Sequence, residues 1–311
     1  MRTPIVLFVF NRPSKASRVI SALRDQTVRP KELIVFADGA RVPADQPRVN
    51  AVRDLVRSIE WTGTRLIERE RNFGCAQNII EGLTEVFSSY ERAVIVEDDV
   101  LPAASFYESL CVMLDRYASS PGVFSVGGFP SVKADALPGY PFDVIMSPRF
   151  SCWGWGTWAD RWRGLASDLP SFRNPFGSPD DVPLHAGRDL RDGARAVERR
   201  PSFYWDFPLT LLCLHRGLLH ALTRYYLVSN IGTDSGTHGN VSSAVLKFLE
   251  ENNVICNSVP RSLPPVSLQA EVVSAVQQYV RQIGDAAVVP STTALSPMRV
   301  LKHLGARLRR R

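Results

Sequence analysis

The chain has 311 residues, of which 45% are hydrophobic and 22% charged. This composition is typical of a globular protein and excludes a disordered, fibrous or membrane-embedded chain. Lys and Arg outnumber Asp and Glu by 37 to 31, but six of the basic residues follow Asp285, after which no acidic residue occurs. The rest of the chain is therefore balanced in charge, which argues against a nucleic-acid-binding protein.

The five cysteines are scattered and include no C-x-x-C pair. This pattern is typical of reduced thiols and indicates neither a disulfide framework nor a zinc site. The first apolar run, residues 5–10, is too short for a signal peptide or a membrane span. We therefore expect a cytoplasmic protein.

The first half of the chain alternates short apolar runs with amphipathic stretches. Strands are predicted at residues 5–10, 32–37, 65–68, 93–96 and 123–126, and helices at residues 15–24, 46–58, 76–87 and 102–117. This order predicts an α/β fold with a mostly parallel sheet flanked by helices. Ligands of such sheets bind beyond the carboxyl ends of the strands.

The alternation stops after residue 128. We expect a loop over residues 129–148, helices at 202–214 and 241–251, and extended chain at 218–228. Three segments are predicted: a ligand-binding half at 1–128, a second half of the same catalytic unit at 129–285, and a linker with a basic tail at 286–311.

The strongest chemical signal is the acid triplet Glu97-Asp98-Asp99, which directly follows an apolar strand. Three adjacent carboxylates at the end of a buried strand repel one another unless a cation or hydrogen-bond donors offset their charge. Hard divalent cations prefer carboxylate oxygens. The triplet therefore indicates a metal or ligand site, with a solvated acidic turn as the alternative.

Two further candidates lie in the second half. Asp206 is isolated among aromatic residues, where desolvation would make it a better proton acceptor than a free aspartate; alternatively, it is a surface acid paired with Arg199 or Arg200. His238 lies in a glycine-rich loop and is a candidate ligand, but taken alone it is better explained as an ordinary loop histidine.

Four of the six tryptophans lie between residues 153 and 162. Trp155, Trp158 and Trp162 have the i, i+3, i+7 spacing of the core face of a helix. Trp153 and Trp155 flank Gly154 and are candidates for an aromatic platform for a sugar.

Residues 71–74 (RNFG) precede a predicted helix and are candidates for a phosphate-binding turn or a simple helix start. No G-x-G-x-x-G, P-loop or G-x-S-x-G pattern is present, which argues against dinucleotide enzymes, P-loop kinases and α/β-hydrolases.

Together these motifs resemble the GT-A glycosyltransferases, and most closely the bacterial glycosyltransferase-2-like proteins related to N-acetylglucosaminyltransferase I. The resemblance covers residues 4–250 and depends on motifs in one order. These are Asn11-Arg12-Pro13, Asp38-Gly39, Arg71-Asn72-x-Gly74, VIVEDDV (94–100), FSCWGWGTWADRW (150–162), YWDF (204–207) and GTHG (236–239).

The resemblance implies a GT-A fold and a role for each matching residue. Asp99 would coordinate a Mn²⁺ or Mg²⁺ ion on the donor diphosphate, with His238 beside the ion or the diphosphate, and Asp206 would be the catalytic base. The remaining implied contacts are Arg12, Asp38, Asn72, Glu97 and Asp98 to the nucleotide, and Trp153, Trp155 and Trp205 to the acceptor. The family often has a second acid after Trp-Asp, where this chain has Phe207.

The expected function is that of an inverting, metal-dependent glycosyltransferase using a nucleotide-sugar donor, with UDP favoured, and a glycan or lipid-linked acceptor in bacterial surface-polysaccharide or lipopolysaccharide assembly. A sugar-1-phosphate nucleotidyltransferase is disfavoured because those enzymes depend on a glycine-rich loop near the N-terminus. The segment at that place here, FVFNRPSKASR, contains no glycine. A non-catalytic nucleotide-sugar or glycan-binding module is the other alternative.

The basic tail suggests a further partner. Apolar residues alternate with Arg and Lys over residues 297–311 in a pattern typical of an amphipathic helix on an anionic membrane surface. The expected location is then peripheral on the inner face of the cell membrane. A solvated tail is the alternative.

Overall fold

A computed structural model describes residues 2–130, 132, 135–199, 205–232 and 255–288. Ten strands are found among them. They are β1 (Ile5–Val9), β2 (Glu32–Ala37), β3 (Gly63–Glu68), β4 (Arg92–Glu97), β5 (Val100–Pro102), β6 (Val123–Gly127), β7 (Val144–Ser147), β8 (Trp155–Trp158), β9 (Leu219–Thr223) and β10 (Val228–Asn230).

Eight strands form one sheet in the order β3-β2-β1-β4-β8-β6-β9-β7. The first four are parallel, β8 is antiparallel to both of its neighbours, β9 is parallel to β6, and β7 is antiparallel to β9. Six of the eight strands thus run in one direction. β5 and β10 form a separate antiparallel pair.

Helices cover both faces of this sheet. They are α1 (Pro13–Arg24), α2 (Gln46–Arg57), α3 (Cys75–Val86), α4 (Phe106–Arg116), α5 (Ala159–Ala166), α6 (Asp189–Arg199), α7 (Asp206–His215) and α8 (Ala270–Val288). The α/β fold with a mostly parallel sheet flanked by helices is therefore confirmed.

Each central strand contributes to two hydrophobic cores because successive side chains point to opposite faces. In β1, Leu7 packs in the core that α1, α2 and α4 cover, whereas Phe8 packs in the core that α3, α5 and α7 cover. β1 is fully buried, as expected of a parallel strand with helices on both sides.

Several short strands were not predicted. β7 lies in the segment expected to be a loop, and β5 occupies the start of the predicted helix at 102–117, which begins instead at Phe106. Both strands have four residues or fewer, too few to show periodicity. The predicted helix at 241–251 lies outside the described residues.

The tryptophan segment is the largest difference in secondary structure. Trp155 and Trp158 lie in strand β8, and only Trp162 lies on a helix, α5. A separation of three puts two strand residues on opposite faces. Trp155 accordingly packs in the core beneath α5 and α7, and Trp158 in the core beneath α1 and α4. The core packing predicted for these three tryptophans is observed. The prediction that all three lie on one face of a helix is wrong for Trp155 and Trp158.

The carboxyl ends of β1, β2 and β4 lie at one edge of the sheet, because these strands are parallel neighbours. The sequence-predicted polar residues follow these three ends. In the part of the chain that the structure describes, no helix is both long and apolar enough to span a membrane.

Candidate active site

The acid triplet lies where β4 ends. Glu97 is the last residue of β4 and is paired in register with Phe8 of β1, while Asp98 and Asp99 form the turn into β5. Asp98 is buried, and its Oδ2 accepts a hydrogen bond of 3.2 Å from the backbone N–H of Phe10. This contact links the ends of β1 and β4.

Arg12 lies directly against the triplet. Its Nη1 donates to Asp99 Oδ2 at 2.5 Å and lies 3.5 Å from Asp98 Oδ1. Burial would lower the pKa of the guanidinium, but the three carboxylates raise that pKa above its ordinary value. Arg12 therefore remains charged and neutralises part of the triplet.

Burial and mutual repulsion disfavour ionisation within the triplet despite Arg12. Burial raises the pKa of Glu97 well above its ordinary value, and the charges of Asp99, Asp98 and Asp206 raise it further. Burial also raises the pKa of Asp98 to about 6, although Arg12 opposes this shift. Such perturbed carboxyl groups at one point are typical of a functional site.

A short segment from the second half closes over Asp99. Strand β10 pairs with β5, and the N–H of Ile231 donates to the backbone oxygen of Asp99 at 2.7 Å. The next residue, Gly232, lies so close that an added Cβ would be 2.2 Å from Asp99 Oδ2. Only glycine fits here without displacing the carboxylate.

Asp206 lies at the start of helix α7, close enough to the triplet to raise the pKa of Glu97. Its carboxylate is half-buried, and its Oδ2 lies 3.9 Å from Cys152 Sγ. A second thiol, Cys75, lies 4.0 Å from Glu97 Oε2. Both thiols line the acid cluster, although the sequence indicated only that they are reduced.

Asp38 is held by hydrogen bonds from its neighbour and from the loop before α3. Its carboxylate accepts four hydrogen bonds of 2.8 to 3.0 Å, from the N–H groups of Gly39, Phe73 and Gly74 and from Asn72 Nδ2. Asn72 Nδ2 also donates to the oxygen of Gly39.

These bonds leave the Asp38 carboxylate and the Asn72 amide nitrogen engaged in holding the loop of residues 71–74. Asp38 therefore holds this loop in place, and its position near a nucleotide stays a prediction. Arg12, expected beside the nucleobase and ribose, contacts Asp98 and Asp99.

The three candidate acceptor residues differ in exposure. Trp155 is completely buried and Trp205 is 5% exposed, and their rings stack at a centroid distance of 5.9 Å. Direct contact of Trp155 with an acceptor is incompatible with this burial, so this expectation is corrected to a core-packing role. Trp153 is partly exposed and packs edge-on against Phe129.

The donor set suits a hard divalent cation in its chemistry, because the oxygens of adjacent carboxyl groups lie together at the end of β4. Among the described residues, however, no three His, Cys, Asp or Glu side chains are placed as a ready metal cage. A cation here would need oxygens from a ligand or water beside Asp99. His238, the other predicted ligand, lies outside the described residues.

Comparisons with known proteins are sparse at the sequence level. No family model matches the chain, and no curated protein matches it. Many solved structures match the chain, and three of them cover much of its length as follows.

The first is the mannosyltransferase PcManGT from Pyrobaculum calidifontis, in complex with GDP-Man and Mn²⁺, with 15% identity, a TM-score of 0.46, and coverage of 99% of this chain and 80% of that one. The second is TarS 1-349 of S. aureus in complex with UDP-GlcNAc. It has 10% identity and a TM-score of 0.45, and the match covers 83% of this chain and 68% of TarS 1-349. The third is mouse xyloside xylosyltransferase 1, with 12% identity and a TM-score of 0.41, and the match covers 70% of this chain and 83% of that one. Such low identities and TM-scores do not assign the chain to a family.

Proposed function

We propose that this protein is a glycosyltransferase of the GT-A type that transfers a sugar from a nucleoside-diphosphate sugar to a hydroxyl group. The observation that carries this proposal is the position of Asp206 at the start of α7, beside the Cys152 thiol and within electrostatic reach of Glu97 in the acid triplet. An acid cluster with a separate carboxylate near it offers both functions of an inverting transfer. One part binds the diphosphate and the other accepts a proton.

Asp206 is the proposed general base. Its carboxylate would accept the proton of the acceptor hydroxyl while the hydroxyl oxygen attacks the anomeric carbon and the bond to the diphosphate breaks. Because attack occurs opposite the leaving group, the anomeric configuration is inverted, and no covalent enzyme intermediate is needed.

The triplet is the proposed end of the site that binds the diphosphate. Asp99, with His238, would hold a Mn²⁺ or Mg²⁺ ion, and Arg12, Glu97 and Asp98 would border the nucleotide. When bound, such an ion neutralises charge on a diphosphate leaving group. Asp38 and Asn72 would act indirectly by keeping the loop of residues 71–74 in shape.

We propose UDP as the nucleotide and a glycan or lipid-linked saccharide as the acceptor, in bacterial surface-polysaccharide or lipopolysaccharide assembly. This proposal follows from the motif resemblance. Trp153, which is partly exposed, is the proposed aromatic contact for the acceptor. The proposed membrane-binding segment, residues 297–311, lies outside the described residues.

Calorimetric titration of UDP, GDP and dTDP, each with and without Mn²⁺, tests the donor site directly. We expect manganese-dependent binding of one nucleotide, UDP, and its loss in Asp99→Ala. The exposed Asp54→Asn on α2 is the matched control and should bind as the wild type does.

Absence of binding of any nucleotide would contradict the proposed transferase and favour a glycan-binding module. Binding of a nucleotide sugar without transfer to any acceptor, unchanged in Asp206→Asn, would favour a non-catalytic nucleotide-sugar-binding protein.

A further inference from the structure

Arg12 occupies one of the two oxygens that Asp99 could offer to a donor-bound cation. Its Nη1 lies 2.5 Å from Asp99 Oδ2. Two positive charges cannot share one carboxylate oxygen at this range without strong repulsion.

The surroundings of Asp99 leave little freedom to avoid this conflict. Gly232 closes one side of Oδ2, since even a methyl group there would be 2.2 Å away. The backbone oxygen of Asp99 is fixed by the N–H of Ile231 at 2.7 Å. The carboxylate therefore cannot swing towards the Gly232 side, and a cation that bonds Oδ2 competes with the guanidinium.

Arg12 also lies at a constrained point of the backbone. It immediately precedes helix α1, and the ring of Pro13 disfavours a helical conformation of the preceding residue. The Arg12 side chain is only 21% exposed, and among the described residues it contacts Asp98 and Asp99. Its position is part of the fold and does not arise from a freely moving surface side chain.

We propose that Arg12 is a built-in counter-ion that neutralises Asp99 in the donor-free protein and is exchanged for the divalent cation when the donor binds. This inference rests on the proposed function. Without Arg12, the three carboxylates would repel one another with no positive charge beside them. With Arg12 in place, the cation must displace the guanidinium from Asp99. Metal affinity is thus lowered until a diphosphate supplies further oxygen ligands.

The test is direct Mn²⁺ binding to the full chain, measured by the electron paramagnetic resonance signal of free Mn²⁺ without nucleotide. We expect Arg12→Gln to bind Mn²⁺ about tenfold more tightly than the wild type, because the competing ion pair is gone. Arg24→Gln is the matched control, with the same change in net charge. It lies at the other end of α1, about 18 Å along the axis, and should not alter binding.

A second measurement separates this inference from the proposed function. UDP binding in the presence of Mn²⁺ should require less Mn²⁺ in Arg12→Gln than in the wild type, and thermal melting should show that both variants are folded. Equal or weaker Mn²⁺ binding by a folded Arg12→Gln overturns the counter-ion role, even if UDP still binds. If neither Mn²⁺ nor any nucleotide binds to any of these proteins, the donor site itself is disproved.

Discussion

Asp206 begins helix α7 with its carboxylate beside the Cys152 thiol and within electrostatic reach of Glu97. If it is the catalytic base, Asp206→Asn removes the proton acceptor but keeps the shape of the side chain. We expect kcat to fall by about 10²- to 10⁴-fold with little change in nucleotide affinity. Release of UDP from UDP-sugars with a panel of saccharide acceptors measures this effect.

The control for Asp206 is Asp160→Asn, an exposed acid in the first turn of α5. It should leave kcat unchanged. A normal kcat in Asp206→Asn would mean that another group accepts the proton of the acceptor hydroxyl. Loss of nucleotide binding would mean that Asp206 supports the donor pocket.

Gly232 is the residue on which the position of the Asp99 carboxylate most directly depends. Gly232→Ala would place a Cβ 2.2 Å from Oδ2, so the carboxylate must move. We expect Mn²⁺-dependent UDP binding to weaken about tenfold or more. Gly164→Ala on α5 is the control, since nothing lies within 4 Å of its added Cβ, and it should leave binding unchanged. Unaltered UDP binding in Gly232→Ala would show that Asp99 does not contribute to the donor site.

At the scale of elements, Asp38 connects the end of β2 to the loop before α3. In Asp38→Asn, an NH₂ group would replace one carboxylate oxygen and face N–H donors such as that of Gly74. We expect the free energy of unfolding to fall by about 2 kcal/mol, because hydrogen bonds to a buried charged group are lost. Urea denaturation measures this change.

Nucleotide affinity provides the second readout for Asp38. If the loop of residues 71–74 borders the donor, Asp38→Asn should also weaken UDP binding, whereas the exposed Asp25→Asn should affect neither property. A loss of stability with full UDP affinity would place the loop away from the donor.

The sequence predicted the central elements because their patterns are long and regular. β1, β2 and β4 follow apolar runs, and α1 and α3 have clear amphipathic spacing, so their bounds agree within a few residues. The tryptophan spacing misled because a separation of three residues fits both a helical face and two faces of a strand.

Contacts between distant segments could not be predicted in the same way. Arg12 and Asp99 are 87 positions apart, and nothing local to either residue encodes the pairing. The same holds for Gly232 against Asp99 and for Cys152 beside Asp206. Residue types and strand ends indicated which side chains belong to the site, but only the tertiary structure shows which of them neutralise one another.

At the scale of the whole molecule, the sheet joins the two halves of the chain. β8 pairs with β4 on one side and with β6 on the other, and β9 extends the sheet from β6. Helix α7, which carries Asp206, follows β6 and β8 in the chain and leads into β9. The distance between the triplet and the proposed base therefore depends on the integrity of the sheet.

His220 of β9 lies within this shared sheet, completely buried against the rings of Phe124 and Phe150. Its Nδ1 is hydrogen-bonded to Ser125 Oγ at 2.8 Å, while its buried Nε2 has no hydrogen-bond partner within the described part of the chain. Burial lowers its pKa from 6.5 to about 3. The folded protein therefore holds His220 neutral at pH values where the unfolded chain binds a proton.

This difference makes His220 a source of acid sensitivity. As the pH falls below about 6.5, His220 binds a proton in the unfolded state but stays neutral in the folded state. The free energy of unfolding therefore decreases until the pH approaches 3. The slope from this group is at most about 1.4 kcal/mol per pH unit.

His220→Asn keeps an acceptor near Nδ1 but cannot titrate. Urea denaturation between pH 7 and pH 4 should show a shallower decline for this variant, even if it is less stable at pH 7, whereas His185→Asn at the exposed His185 should retain the wild-type slope. An unchanged slope in His220→Asn would mean that the acid sensitivity arises elsewhere in the molecule.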